Sequence, residues 1–171
     1  GDVLEARDSD LNRAIALKVL LAGTNARRAQ VEKFLIEAQV TGQLEHPNIV
    51  PVHELGALPD GRVYFTMKYV RGRSLQGILK ELRLRANPSK KGKDPAMPDY
   101  FLTDLLEMFL KICDGVGFAH SKGVVHRDLK PENVMVGEYG EVLVMDWGLA
   151  KVRGVEEDRT KEAVQVDLHQ G

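Results

Sequence analysis

Two short β-branched runs, Val124-Val125 and Val134-Met135-Val136, flank the segment His126-Arg127-Asp128-Leu129-Lys130-Pro131-Glu132-Asn133, which is dominated by ionisable and amide side chains. Residues of the flanking type favour strands, so the segment reads as a loop anchored to sheet at both ends. A turn at Gly137-Glu138-Tyr139-Gly140 and a further apolar run, Val142 to Met145, then make a hairpin. Asp146-Trp147-Gly148 follows directly. The order of the chain therefore places one polar cluster containing Asp128 before a small hairpin and a second acidic residue, Asp146, immediately after it.

The upstream pattern is of a different kind. Ala14 to Leu21 is an apolar run of strand length that contains a single lysine, Lys18. From about Asn25 to Leu44 the residues Val31, Phe34, Leu35, Ala38, Thr41 and Leu44 follow the three-and-four spacing of a one-sided helix, with Glu37 beside the apolar stripe. His46 and Pro47 stop that helix. Ile49 to Leu55 and Val63 to Val70 read as an antiparallel pair joined at Leu58-Pro59-Asp60-Gly61. Ser74 is suited to cap a helix running to about Leu84. Arg85 to Pro98 is polar and aperiodic and reads as a solvated loop, its basic residues Lys90, Lys91 and Lys93 included. Asp99 or Thr103 opens a long helix on which Leu102, Leu105, Leu106, Phe109, Cys113 and Val116 share a face, and Gly123 is placed to cap its end. The tail after Lys151 is charged and aperiodic, as mobile segments are.

Composition narrows the classes of partner. Among 171 residues, 43% are hydrophobic, enough for the core of one ordinary domain. Twenty-four Lys and Arg balance 25 Asp and Glu for a net charge of −1, so no basic field calls for nucleic acid. Cys113 is the single cysteine and cannot form an internal disulfide; a small buried hydrophobe in a reducing cytoplasm is the expectation. No apolar run reaches the length of about 18 residues that spans a bilayer, so any membrane anchor would lie outside this chain. His46, His53, His120 and His169 lack the spacing of metal ligands.

The segment His126–Asn133, followed by Asp146-Trp147-Gly148, resembles the catalytic loop and metal-binding motif of the protein kinases. Six fixed letters recur by chance at roughly one in tens of millions of positions, taking about one in twenty per letter, which makes coincidence a poor explanation. Ala16-Leu17-Lys18 resembles the strand carrying that family's phosphate-binding lysine, and Glu37 falls on the following helix, where its ion-pair partner is expected. Gly1-Asp2-Val3 resembles the end of the glycine-rich phosphate loop, without the two preceding glycines. Met67, Lys68 and Val70 resemble the hinge whose backbone pairs with adenine. The tryptophan in place of the usual phenylalanine, Trp147, is similar to the form found in certain bacterial-type serine/threonine kinases, and its larger indole calls for a roomier pocket and a partner for its N–H.

The resemblance implies an α+β fold: a small antiparallel β lobe with one helix over residues 1–70, then the first part of a mainly helical lobe over residues 71–171. It implies a protein kinase that moves the γ-phosphate of ATP to serine or threonine hydroxyls of proteins, with Mg²⁺. Asp128 accepts the substrate hydroxyl's proton and Lys130 neutralises the transferred phosphate. Lys18 holds the nonreacting phosphates with Glu37 behind it, while Asn133 and Asp146 offer Mg²⁺ hard oxygen ligands. Gly1, Val3, Ala16, Met67, Lys68 and Val70 line the nucleotide. Arg127 is placed to pair with a phosphorylated segment, and Thr160 is the only hydroxyl residue after Lys151. The family's later motifs are absent, so a piece of a longer catalytic domain, itself inactive, is expected, with Leu106, Phe109 and Cys113 left as an exposed apolar patch. The alternative reading is a noncatalytic module of the same fold that binds nucleotide or a partner.

Overall fold

The computed structural model describes residues 2–20, 28–86 and 100–152. A four-stranded antiparallel sheet is built from β1 (Asp2–Asp8), β2 (Arg13–Val19), β3 (Val52–Ala57) and β4 (Val63–Lys68) in the order β1-β2-β4-β3. Helix α1 (Arg28–Gly42) turns Phe34, Ala38, Val40 and Thr41 inward, as the three-and-four spacing requires. Its Phe34 ring meets Phe65 of β4 with centroids 5.1 Å apart, and together with Ala16, Ala38, Val50 and Met67 they form one apolar cluster. Each buried aromatic of this kind contributes about 1.5–3 kcal/mol of transfer free energy. Leu44, expected as the last helical residue, lies past the helix end yet is 3% exposed. Ile49 and Val50 also lie outside β3; Ile49 instead bridges Val144 in parallel.

The second half of the chain packs around helices. β5 (Gly72–Ser74) leads into α2 (Leu75–Arg85), where the Ser74 hydroxyl accepts the Gly77 amide at 3.2 Å, the cap expected from the sequence. β5 pairs with β7 (Val134–Gly137), and β7 with β8 (Val142–Val144), forming a three-stranded sheet. Helix α3 (Leu102–Ser121) precedes β6 (Val124–Val125), which pairs with β9 (Lys151–Val152). The helical residues Met108, Ile112 and Ala119 join Ile78, Val134, Val136, Val142, Val144 and Trp147 in the larger core.

Three expectations need correction on α3. Thr103 lies within the helix and Asp99 lies outside the described residues; the start is fixed by Phe101 at the cap, whose N–H is accepted by Asp104 Oδ2 at 2.7 Å. A carboxylate in the first turn reaches back to an otherwise orphaned donor. The expected single apolar face is divided: Leu105 and Val116 pack on the core, whereas Leu102, Leu106 and Phe109 are 72%, 53% and 61% exposed. Cys113 is exposed too: it is not the buried hydrophobe of one expectation but belongs, with Leu106 and Phe109, to the exposed apolar patch of the other. The helix is apolar around much of its circumference, so spacing alone permitted more than one inward face. Gly115 favours the face that meets Asn48, because a bare Cα allows the close approach: a Cβ there would sit a tight 3.0 Å from the Asn48 carbonyl oxygen. Gly123 does end the helix as expected, with φ 78° and its N–H donating to His120 O at 2.9 Å.

Candidate active site

Lys18 sits on β2 between Phe65 of β4 and Val3 of β1 in the sheet register. Its side chain, 14% exposed, pairs with Glu37 of α1 and lies 3.4 Å from Asp146 Oδ1, beyond the end of β8. A strand, a helix and a loop thus deliver one cation and two carboxylates to a single point. Burial drives the Glu37 carboxyl above its ordinary range; the Lys18 ammonium opposes that rise and the nearby Asp146 carboxylate adds to it. Gly148 leaves room for the Glu37 carboxylate, whose Oε2 would be 3.1 Å from any Cβ at that position.

The loop between β6 and β7 forms a second cluster. Lys130 Nζ donates to Asp128 Oδ2 at 2.8 Å, and Asn133 Nδ2 donates to Asp128 Oδ2 at 3.1 Å and to Asp128 O at 2.9 Å. These contacts hold the Asp128 carboxyl below its ordinary value, with the Lys130 hydrogen bond as the largest cause, and raise Lys130 in turn. With its amide nitrogen so engaged, Asn133 keeps its Oδ1 as an available acceptor. His126, 3% exposed, has Nε2 2.9 Å from Met145 O and accepts the Asp128 N–H at Nδ1 at 3.2 Å. That pattern requires the proton on Nε2. Met145 N–H also donates to Asn133 O at 2.8 Å. The two clusters are therefore stitched together through Met145, the residue before Asp146.

Arg127 and Asp146 are both non-glycine residues in the left-handed region, at φ 64° and 57°. Such conformations cost about 1–3 kcal/mol and persist where surroundings enforce them, characteristically at functional sites. Arg127 Nε donates to Leu149 O, tying the loop to the residues after Gly148.

A cleft of about 510 Å³ opens beside Lys18, lined by Val3, Leu20, Phe34, Glu37, Met67, Met145 and Asp146 among others. This is within the ordinary range for a small-molecule site, with apolar walls from Val3, Leu20, Phe34, Met67 and Met145 and charge from Lys18, Lys33, Glu37 and Asp146. Of the expected nucleotide-lining residues, Val3, Lys18, Glu37 and Met67 border it. Ala16 is buried in the sheet beneath. Lys68 does not border the cleft; it borders a separate cavity of about 590 Å³ with His46, Pro51 and Leu143, and its Nζ is 3.7 Å from Glu141. Val70 lies just past β4 and does not border the cleft either, while Gly1 and Thr160 fall outside the described residues. Lys90, Lys91 and Lys93 do so as well, and among the described residues no cluster of His, Cys, Asp and Glu suits a metal ion by itself.

Trp147 is 1% exposed and packs against His126 with ring centroids 4.6 Å apart and the rings tilted by 54°. The roomier pocket expected for an indole is present. The hydrogen-bond partner is not: Nε1–H meets no acceptor among the described residues. Sequence reasoning had assigned no task to His126, although a histidine opening a loop bounded by strands offers ring nitrogens to both of its ends.

The chain belongs to the protein kinase domain family, which it matches over residues 1–167. The serine/threonine-protein kinase PknD of Protochlamydia amoebophila is 40% identical over 151 residues, covering 88% of this chain and 15% of that protein. The PknD of Chlamydia trachomatis serovar D is also 40% identical over 151 residues, covering 88% of this chain and 16% of its own length. This chain therefore spans about one sixth of the length of these curated relatives. Among solved structures, a chain from the yeast RNA Pol II CTD kinase CTDK-1 complex superposes with a TM-score of 0.71 at 21% identity, over 89% of this chain and 44% of that one. At that identity the likeness speaks to fold alone. The fold is that of a bacterial-type serine/threonine kinase: an antiparallel β lobe with one helix, followed by the first part of a mainly helical lobe.

Proposed function

We propose that this chain carries the nucleotide-binding and phosphoryl-transfer groups of a protein serine/threonine kinase. Residues 1–70 serve as the nucleotide lobe and 71–171 as the part of the second lobe that holds the reacting groups. The observation that carries this reading is the meeting of Lys18, Glu37 and Asp146 at one edge of an apolar-walled cleft.

Phosphoryl transfer asks a protein mainly for alignment and charge neutralisation. ATP and Mg²⁺, when bound, supply the transferable phosphoryl group and the divalent charge that neutralises it. The donor set fits them: the Asp146 carboxylate and the Asn133 Oδ1 are the hard oxygens that Mg²⁺ prefers, and Lys18 is a cation beside walls suited to a base. Glu37 keeps Lys18 extended into the cleft. Met67, inside β4, walls the cleft with its side chain, and the backbone of Lys68 at the strand end and of Val70 just past it pairs with the base whatever the side chains.

Asp128 orients the hydroxyl of a serine or threonine in a protein substrate and takes up its proton, and Lys130 neutralises the phosphate as it arrives. A carboxylate held below its ordinary pKa is a weak base. In a loose transition state the hydroxyl loses its proton late, so orientation matters more than basicity.

Asp128→Asn in the full-length protein tests this reading. Transfer should fall by about 10²–10⁴-fold while Mg-ATP still binds; unchanged turnover rejects the role of Asp128. If the unsubstituted full-length protein binds Mg-ATP yet transfers nothing to any hydroxyl, the noncatalytic module is the better description.

A further inference from the structure

Glu37 and Asp146 converge on Lys18 from elements far apart in the chain, and the connection between α1 and β3 physically joins them. This connection runs along the free edge of β8. Asn48 Nδ2 donates to Val142 O at 3.0 Å, Val144 N–H donates to Asn48 O at 2.8 Å, and Val50 N–H donates to Val144 O at 3.2 Å. Ile49, 1% exposed, bridges Val144 in parallel. The other edge of β8 is taken by β7. The strand that delivers Asp146 is thereby held between its hairpin partner and the tail of the helix that delivers Glu37.

Asn48 is shaped for this position by its surroundings. Its backbone N–H donates to His46 Nδ1 at 3.1 Å, and the His46 ring stacks on Phe118 of α3 at 5.1 Å. Gly115 of α3 lies directly against it, and a Cβ there would sit 3.0 Å from the Asn48 carbonyl oxygen and 3.2 Å from its Cβ, so Asn48 would have to yield by a few tenths of an ångström. One residue therefore meets α1's exit, β8 and α3 together, through its backbone as well as its amide side chain.

We propose that Asn48 is a positioning residue that fixes the separation of the Glu37 and Asp146 seats, so that loosening its grip on β8 unseats Asp146-Trp147-Gly148 before the fold is lost. The functional importance of those seats rests on the kinase reading above; the tether itself does not, and its test needs no phosphoryl transfer. Trp147 is the only tryptophan of the chain and is fully buried next to Asp146, so its emission reports whether this segment is seated.

The experiment compares Asn48→Asp and Gly115→Ala with the unsubstituted chain, measuring Trp147 emission and acrylamide quenching in the native baseline, well below each melting midpoint. Asn48→Asp keeps the shape but sets an acceptor against Val142 O. Gly115→Ala pushes the same residue from the opposite side. Both should shift emission to the red and raise quenching while far-UV circular dichroism is retained. Leu55→Ala, in the other apolar cluster, lowers stability without touching Asn48 and should leave the emission unchanged. The proposal is overturned if both Asn48-directed variants fold with the native emission, or if Leu55→Ala produces the same shift. Should neither variant fold, native-state hydrogen exchange on the unsubstituted chain decides. The Trp147 indole proton should then open together with the Val50 and Val144 amides, and faster exchange of the indole than of those amides overturns the tether.

Discussion

The Lys18 ammonium and the Asp146 carboxylate lie 3.4 Å apart although 128 positions separate them in the chain. Glu37 shares the same cation, and its side chain is 9% exposed. Removing one member of a buried ion pair leaves its partner's charge uncompensated, at a cost of about 3–5 kcal/mol. Lys18→Met should accordingly destabilise the chain strongly at neutral pH and less in mild acid, because Glu37 can then take up a proton. Melting curves of the variant and the parent at pH 7 and pH 5 check this; an equal loss at both would mean that Glu37 is not the charge left behind.

The same geometry sets the order of events on acidification. The folded-state pKa of Glu37 is raised above its ordinary 4.5, so its ionised form opposes folding at neutral pH, and that opposition disappears as pH falls through the raised value. Asp128 is the reverse case: its pKa is lowered, and its contribution is present above the ordinary 3.8 and lost only as pH falls through the lowered value. Glu37 therefore protonates first and releases Lys18. Nucleotide affinity should fall on an acid limb lying above the ordinary glutamate range, and Glu37→Gln should bind weakly with that limb removed. Calorimetric titration with Mg-ATP across pH reads both; a limb unchanged in Glu37→Gln would assign it elsewhere.

Two glycines of the second sheet look alike in sequence and should differ in consequence. A Cβ on Gly72 would lie 2.0 Å from the Val136 carbonyl oxygen, part of the backbone of β7. On Gly137 it would meet the Glu141 carboxyl carbon at 2.1 Å, the end of a flexible side chain. Gly72→Ala must force β5 from β7 and should cost more than the about 1–3 kcal/mol typical of overpacking. Gly137→Ala should cost about 1 kcal/mol or less, since what moves is a half-exposed ion pair with Lys68 and one bond from the Tyr139 amide. Denaturant titration of the pair decides it; comparable losses would show that Glu141 cannot give way.

The contrast between what was readable and what was not follows from the range of the interactions. The loop His126–Asn133 and Asp146 were legible because their chemistry requires particular side chains in a particular order. Helix α1 was legible because only one of its faces is apolar. The inward face of α3 was not, since it depends on Gly115 meeting a residue 67 positions earlier in the chain, whereas the exposed patch with Cys113 was expected from the missing later motifs. Asn48 gave no local signal, because its partners Val142 and Val144 are reached only after the chain has folded. Lys68 could be placed at the end of a strand, but which side of the hinge its side chain occupies depends on Glu141.

The orphaned indole N–H of Trp147 carries its own prediction. A buried donor without an acceptor costs about 1–3 kcal/mol, while replacing the indole by a phenyl ring forfeits burial of similar size. Trp147→Phe should therefore be close to neutral, within about 1 kcal/mol, where a buried tryptophan would ordinarily be costly to shrink. Chemical denaturation followed by far-UV circular dichroism measures this, and a loss above about 3 kcal/mol would indicate that the N–H is satisfied in solution.

The outward face of α3 sets the behaviour of the chain in solution. Leu102, Leu106, Phe109 and Leu110 are all more than half exposed, and Phe101 beside them is 71% exposed. Neighbouring apolar side chains on one helix form a continuous patch of the kind that monomeric soluble proteins keep small. This chain on its own should bind a hydrophobic dye and self-associate with rising concentration. Replacing Leu106 and Phe109 together by glutamate should reduce both without loss of stability, because neither side chain belongs to the core and glutamate is a good helix former. Light scattering and dye fluorescence across a concentration series read the effect. A parent chain that stays monomeric, melts cooperatively and binds no dye would mean that this face is covered in solution.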